Sequence, residues 1–279
     1  MPTSCLTSGR LWSSWPPGEG SEVARQNQRP GGVPSVVRAV RILEAVADAA
    51  RPPTLAELAR SLGIPKSTTH DLCVTLLRER LLARSPDGRF RLGVRVLELY
   101  RGYNTGSDLS AAFAEVCDEV VPRHEETLVL SVLDGREVVY VACRNGTQPI
   151  AVNYRIGLRL PAHCTATGKA ILSTLPEKQV RQLFACGELP RPTRRSLGSL
   201  ADLLRELEAT RRRGYSVDDE ETVDGMLCVG AAVRTCRDVH AGVAFSTVKA
   251  RLAPGRLEEL ARQITALADL LSQRLGASP

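Results

Sequence analysis

The chain has no C-x-x-C pair, and its four histidines stand at none of the spacings that hold a metal. Its eight cysteines (Cys5, Cys73, Cys117, Cys143, Cys164, Cys186, Cys228 and Cys236) are scattered, so neither a zinc site nor another metal site is expected. Cys73 and Cys117 fall on apolar helix faces, where a reduced thiol behaves as a small hydrophobe. No apolar run approaches the length of a membrane span. Residues 1–32 are rich in Pro, Gly and Ser, carry Trp12 and Trp15 without periodicity, and lack the continuous apolar core of a signal peptide. They read as a disordered tail, and the whole as a cytoplasmic protein with no cofactor and no membrane partner.

What is present is positive charge, unevenly placed. The net charge is +6, from 37 Lys and Arg against 31 Asp and Glu. Through Tyr103 there are 15 basic and 9 acidic residues, and beyond it 22 of each. All the excess lies in the first part of the chain, as attraction to a phosphate backbone requires. With 279 residues there is room for two domains, each with its own core.

The first domain is expected over 33–93. Ser35 is placed to cap a helix running to about Ala49, with Val36, Val40, Leu43 and Ala47 as its apolar stripe. Thr54 and Glu57 form a capping box for a helix over Leu55–Leu62, which turns Leu58 and Leu62 inward. Gly63 supplies permissive backbone at the corner, and Pro65 suits the first turn of a third helix running to Arg80. Thr69, Leu72, Cys73 and Leu76 give that helix an inner face; Lys66, Ser67, His70, Asp71 and Val74 give it an outer one, with Thr68 on the flank. Leu81–Arg84 and Arg89–Leu92 pair across Ser85-Pro86-Asp87-Gly88. The order reads as a winged helix-turn-helix, which sets one helix in the DNA major groove. Arg38, Lys66, Ser67, Thr68, His70, Asp71, Arg84, Arg89 and Arg91 are its candidate contacts to double-stranded DNA. A carboxylate at Asp71 repels phosphate, yet it can accept from cytosine N4. A linker helix is expected over 94–107, spaced by Val94, Leu97 and Tyr100, which also helps pair subunits.

Residues 108–276 alternate differently. An amphipathic helix over Leu109–Val121 (Leu109, Phe113, Val116, Cys117, Val120) precedes strands at Thr127–Leu133 and Glu137–Cys143, joined at Asp134-Gly135. An extended run reaches Pro161 and leads into a helix ending near Leu175, and a further helix spans Leu200–Arg213 before Gly214. Strands at Leu227–Arg234 and Val239–Phe245 flank Arg237-Asp238, and a terminal helix covers Leu257–Leu275. Helices on one face of a mostly antiparallel sheet give an α+β domain. Two segments offer a ligand end. Cys164-Thr165-Ala166-Thr167-Gly168-Lys169 presents N–H groups, hydroxyls and a cation at a helix start, which suits a small anion. The acidic strip Asp218-Asp219-Glu220-Glu221, with Gly225-Met226-Leu227-Cys228, presents acceptors and soft apolar contact, or else merely caps the domain. A catalytic pairing of Cys164 with His163 is disfavoured, because adjacent residues on an extended stretch point to opposite faces.

Six segments, in this order, resemble the IclR family of bacterial transcription regulators: S-V-V-R-A-V-R-I-L-E-A-V at 35–46, L-A-E-L-A-R-S-L-G-I-P-K-S-T-T-H at 55–70, G-R-F-R-L-G at 88–93, L-P-A-H-C-T-A-T-G-K-A-I-L at 160–172, R-G-Y-S-V-D-D-E-E at 213–221 and G-M-L-C-V-G-A-A-V at 225–233. The resemblance covers Ser35 to Leu275. It implies an N-terminal winged helix-turn-helix joined by a helix to a C-terminal GAF-like effector-binding domain, with no reaction catalysed. The implied assembly is a homodimer or a dimer of dimers on palindromic operator DNA, released or tightened by a small organic acid or aromatic metabolite. Repressor is the commoner kind, with activator open. The resemblance places effector contacts at Thr165, Ala166, Asp218, Cys228, Ala244 and Ser246, to which the two segments themselves add Cys164 and Met226 as candidates. This chain departs from the family pattern at Asp71, often Arg; at His124-Glu125, commonly Thr-Gly; and at Ala244, often Ser, which implies a less polar effector.

Overall fold

The computed structural model describes residues 32–105, 109–121, 124–147, 154–185, 187–235 and 240–276. Residues 1–31 of the tail expected over 1–32, the Arg237-Asp238 turn, and Cys5, Cys186 and Cys236 lie outside them. The chain divides into two compact units, Met1–Ser107 and Asp108–Pro279.

The first unit contains helix α1 (Pro34–Asp48), α2 (Leu55–Leu62), α3 (Lys66–Arg78), a two-stranded antiparallel sheet of β1 (Leu82–Arg84) and β2 (Phe90–Leu92), and α4 (Arg95–Thr105). Ser35 does not cap α1. The helix starts two residues earlier with Pro34 in its first turn and Val33 as N-cap, since proline's missing N–H is no loss there. The apolar stripe of α1 is also rotated from the expected one: Ile42 and Val46 are buried with Ala39 and Leu43 beside them, whereas Val36 and Val40 are exposed. The α2 capping box is complete, with Thr54 Oγ1 accepting from the Glu57 N–H and Glu57 accepting from the Thr54 N–H at 2.7 Å. Gly63 ends α2 at φ 64, left-handed backbone that favours glycine. Leu58, Cys73, Leu76, Leu82 and Phe90 close the core with Ile42 and Val46.

The second unit is built on one antiparallel six-stranded sheet. Its strands are β3 (Thr127–Asp134), β4 (Glu137–Arg144), β5 (Arg159–Pro161), β6 (Ser216–Asp219), β7 (Met226–Val233) and β8 (Ala241–Val248), in the order β5-β4-β3-β8-β7-β6. The β3–β4 turn centres on Gly135-Arg136, one residue later than expected, with Gly135 at φ 61. Its helices are α5 (Leu109–Val120), α6 (Ala166–Thr174), α7 (Glu177–Leu183), α8 (Leu200–Arg213) and α9 (Arg256–Arg274). The sheet is covered on both faces, not one. Phe113 and Val116 of α5 and Ile264 and Leu267 of α9 pack on Leu128, Leu130, Val229 and Phe245. Ile171 of α6, Val180 of α7 and Leu203 of α8 pack with Val129, Tyr140, Cys228 and Ala244 on the other side. Double coverage explains why β3, β7 and β8 read as almost unbroken apolar runs, since successive residues enter different cores. Val120 is exposed and Val121 takes its place in the core. The α7 helix and strand β6 were not expected; the acidic strip begins as a strand.

Candidate functional site

Two surfaces gather the candidate residues, one in each unit. In the first, Thr69 Oγ1 donates to Pro65 O at 3.0 Å and anchors the start of α3 to the corner. No side chain caps this helix, whose N-cap is Pro65. Its first N–H groups therefore point outward with the positive end of the helix dipole behind them. Lys66, Ser67, His70 and Asp71 are exposed there and Thr68 is half-buried. His70 Nδ1 lies 3.4 Å from Asp71 Oδ1. On the wing, Arg91 is exposed; Arg84 lies over the Phe90 ring and donates to Gly88 O at 3.2 Å. Arg89 is turned inward and serves the fold: it donates to Pro52 O at 2.9 Å and pairs with Glu57 and Asp87. Arg38 is exposed on α1.

In the second unit, strand register brings separated segments into one row. Asp218 pairs with Cys228, Cys228 with Ser246, and Ser246 with Thr127. Gly230, Ala244 and Val129 form the adjoining row. The start of α6 presses onto these rows. Ser216 Oγ donates to Ala166 O at 2.6 Å, and a Cβ on Gly230 would lie 2.8 Å from the Ala166 carbonyl carbon. Gly168 is equally obligatory, since its Cβ would stand 2.2 Å from Ala162 O. Thr165 caps α6, its Oγ1 accepting from the Gly168 N–H at 3.1 Å. Cys164, Thr165, Ala166, Asp218, Cys228, Ala244 and Ser246 are thus buried close to one another, with half-buried Met226 at the end of β7.

The cation expected to meet an anionic ligand is already paired within the chain. Lys169 is wholly buried, ion-paired with Glu221 and 3.8 Å from Glu206. Burial outweighs the nearby ammonium and pushes the Glu221 carboxyl up to about 7. Asp218 is also engaged: it accepts from the Glu221 N–H at 2.8 Å and from the Thr222 hydroxyl, while burial raises its carboxyl above the ordinary value. The same hydroxyl lies 3.1 Å from Cys164 O. The remaining acids of the strip lie outside this cluster, where Asp219 and Glu220 pair with Lys249 and Arg195. The strip therefore does two jobs, an internal one at Asp218 and Glu221 and a surface one between them.

His163 and Cys164 form no nucleophile–base pair. The His163 Nε2 faces Pro190 O at 2.8 Å and burial holds the ring down at about 4, whereas the Cys164 thiol lies against Pro161 O and burial pushes it up. The residue that sequence reasoning missed is Tyr154. Its hydroxyl donates to Ser246 Oγ at 2.8 Å and lies 3.8 Å from Cys228 Sγ, and its ring is 5.1 Å from that of Tyr140. An aromatic in a polar stretch, where aromatics are 4% of the chain, was the available signal.

Among the described residues no group of His, Cys, Asp and Glu is arranged to hold a metal, and no helix is long and apolar enough to cross a membrane. Two family models match the chain: the IclR helix-turn-helix domain over residues 35–86 and the bacterial transcriptional regulator IclR C-terminal over residues 102–273. The HTH-type transcriptional regulator XynR of Escherichia coli is 32% identical over 248 residues, which cover 88% of this chain and 98% of that protein. Among solved structures, the Agobacterium tumefaciens repressor BlcR is 40% identical with a TM-score of 0.58, covering 88% of this chain and 99% of that one. The Thermotoga maritima IclR is 28% identical with a TM-score of 0.71, covering 87% and 98%.

Proposed function

The chain belongs to the IclR family of bacterial transcriptional regulators, and we propose that it is a ligand-responsive repressor of a local metabolic operon. It is a DNA-binding regulator with an N-terminal helix-turn-helix and a C-terminal effector domain. The observation that carries the DNA reading is the uncapped, exposed start of α3 beside the wing. Its N–H groups with Lys66, Ser67 and Thr68 meet phosphate and base edges, His70 and Asp71 read further along the groove, and Arg38, Arg84 and Arg91 hold the flanking backbone. Arg89 contributes by bracing the wing against Glu57.

Pairing of two chains has its own support. Val36, Val37 and Val40 on α1, and Leu97, Leu99, Tyr100 and Tyr103 on α4, leave exposed apolar surface on the first unit. A dimer, or a dimer of dimers, covers such surface and sets the spacing of two recognition helices on a palindromic site. The second unit, GAF-like in this reading, binds a small metabolite between the start of α6 and the Asp218–Cys228–Ser246 row. Binding moves the half-site spacing only through different affinity for the two arrangements.

The test is fluorescence anisotropy on the chain's own promoter fragment. Joint replacement of Lys66, Arg84 and Arg91 by Glu is expected to abolish binding, and unchanged affinity overturns the DNA reading. Deleting the gene is expected to raise transcription of the neighbouring operon; a fall makes the protein an activator.

A further inference from the structure

The geometry points to Tyr154 as an occupant of the effector site: its phenol fills the place of a neutral, hydroxyl-bearing aromatic ligand, which binds by displacing it. This rests on the effector-site reading above and adds the ligand class and the residue that opposes it.

Three observations carry it. First, the hydroxyl groups of the sheet row are already answered from within the chain. Ser246 Oγ accepts from the Tyr154 hydroxyl at 2.8 Å and is met by the Cys228 thiol at 3.3 Å, while the Tyr154 ring leans on that of Tyr140. These are the contacts a free phenolic ring would make. Second, Tyr154 sits outside the ladder: β4 ends at Arg144, β5 starts at Arg159, and the β4–β5 pairs involve only 137–139 and 159–161. Its ring can leave without breaking a pair of strands. Third, the electrostatics suit a neutral head better than a carboxylate. Lys169 is matched by Glu221 and Glu206, Thr165 takes up the Gly168 N–H at the start of α6, and Asp218 stands in the same row as Ser246. An anion placed there meets a carboxylate and no uncommitted cation among the described residues, and an unpaired charge is costly to bury. Burial keeps the surrounding Tyr140, Tyr154 and Cys228 groups in their neutral, donating forms.

A ligand competing with an internal side chain binds more weakly by the fraction of molecules in which that side chain is out of the site. Removing the competitor raises affinity; removing a wall lowers it. Calorimetry with the full chain, using phenol and benzoate as probes, separates the two. Tyr154→Ala is expected to bind phenol at least tenfold more tightly than the unaltered protein, and more tightly than benzoate. Adding Ser246→Ala is expected to remove most of that gain. Tyr154→Phe keeps the ring but loses the hydroxyl, so its gain is expected to be smaller, about threefold; it serves if the alanine variant does not fold. Equal or weaker phenol binding by Tyr154→Phe and any folded Tyr154→Ala, or preference for benzoate, overturns the proposal. Operator binding is read in parallel. Phenol tightening on Tyr154→Ala with no effect on operator affinity upholds the occupancy and defeats the effector reading. An operator response to benzoate that Tyr154 substitutions leave unchanged does the reverse.

Discussion

The helices α3 and α6 start with similar residues and stand in opposite surroundings. Each begins with hydroxyl side chains and a lysine: Lys66-Ser67-Thr68-Thr69 in one, Ala166-Thr167-Gly168-Lys169 after Thr165 in the other. At α3 the terminus is uncapped, and the lysine and serine are exposed. At α6 the terminus is capped by Thr165, two glycines let strand and helix close together, and the lysine is wholly buried against Glu221. A helix start is an anion site only where its N–H groups and cation remain uncommitted. At the second the cation is already spent on Glu221 and one N–H on Thr165, so the two lysines stand in different roles. Lys66 is exposed to solvent, while Lys169 is paired inside the second unit.

Removing each lysine in turn separates the two helix starts. Lys169→Ala leaves Glu221 buried without its counter-charge and is expected to destabilise the protein by about 3 kcal/mol, read by denaturant unfolding. Lys66→Ala is expected to leave the unfolding midpoint unchanged. It should weaken operator binding and lower the salt slope by about one. If both lysines behave alike in either assay, the distinction fails.

A smaller effect is expected from the close packing at α6. Gly168→Ala forces the helix away from Ala162 O, a loss of about 1–3 kcal/mol by overpacking, with a matching fall in the melting temperature. Gly102→Ala, on exposed α4 where nothing lies near the added Cβ, is the control expected to lose no stability.

The Glu221 carboxyl supplies a pH test. Its folded value, about 7, lies above the ordinary 4.5, so the folded state holds the proton more tightly than the unfolded one. Its contribution is therefore fully present below about 4.5 and is lost as pH rises towards 7. Glu221→Gln is expected to flatten the stability profile across that window, and an unchanged slope removes Glu221 as its source. The smallest expected effect is at Ala244. Ala244→Ser adds a hydroxyl to the apolar row beside Ser246, and is expected to leave a natural ligand's affinity unchanged or weaker by calorimetry. A marked gain argues for a more polar effector.

Much of this was legible in local pattern. The capping box at Thr54 and Glu57, the glycine corner at Gly63, the inner face Thr69-Cys73-Leu76 and the end of α8 at Gly214 each depend on residues within a turn or two of one another. The buried stripe of α1 lies one position away from the expected one because valines crowd both sides of it, and only packing decides which of Val36, Val40 and Ile42 is covered. The single-faced sheet was an error of the same kind, since β3 and β8 carry apolar residues at successive positions. Arg89 and Asp218 could be named as polar and well placed, but not as already spent on Glu57 and Thr222.

The chain's local pattern fixes most of the elements in order, the position of the positive charge and the two helix starts that suit anions, because backbone propensity, capping and periodicity act over a few residues; α7 and β6 escape it. Tertiary structure decided which start stayed open. It brought Lys169 to Glu221 across 52 residues and Tyr154 to Ser246 across 92. Whether a charge or a hydroxyl is free depends on what folding carries to it from far along the chain, and on how much water is left beside it.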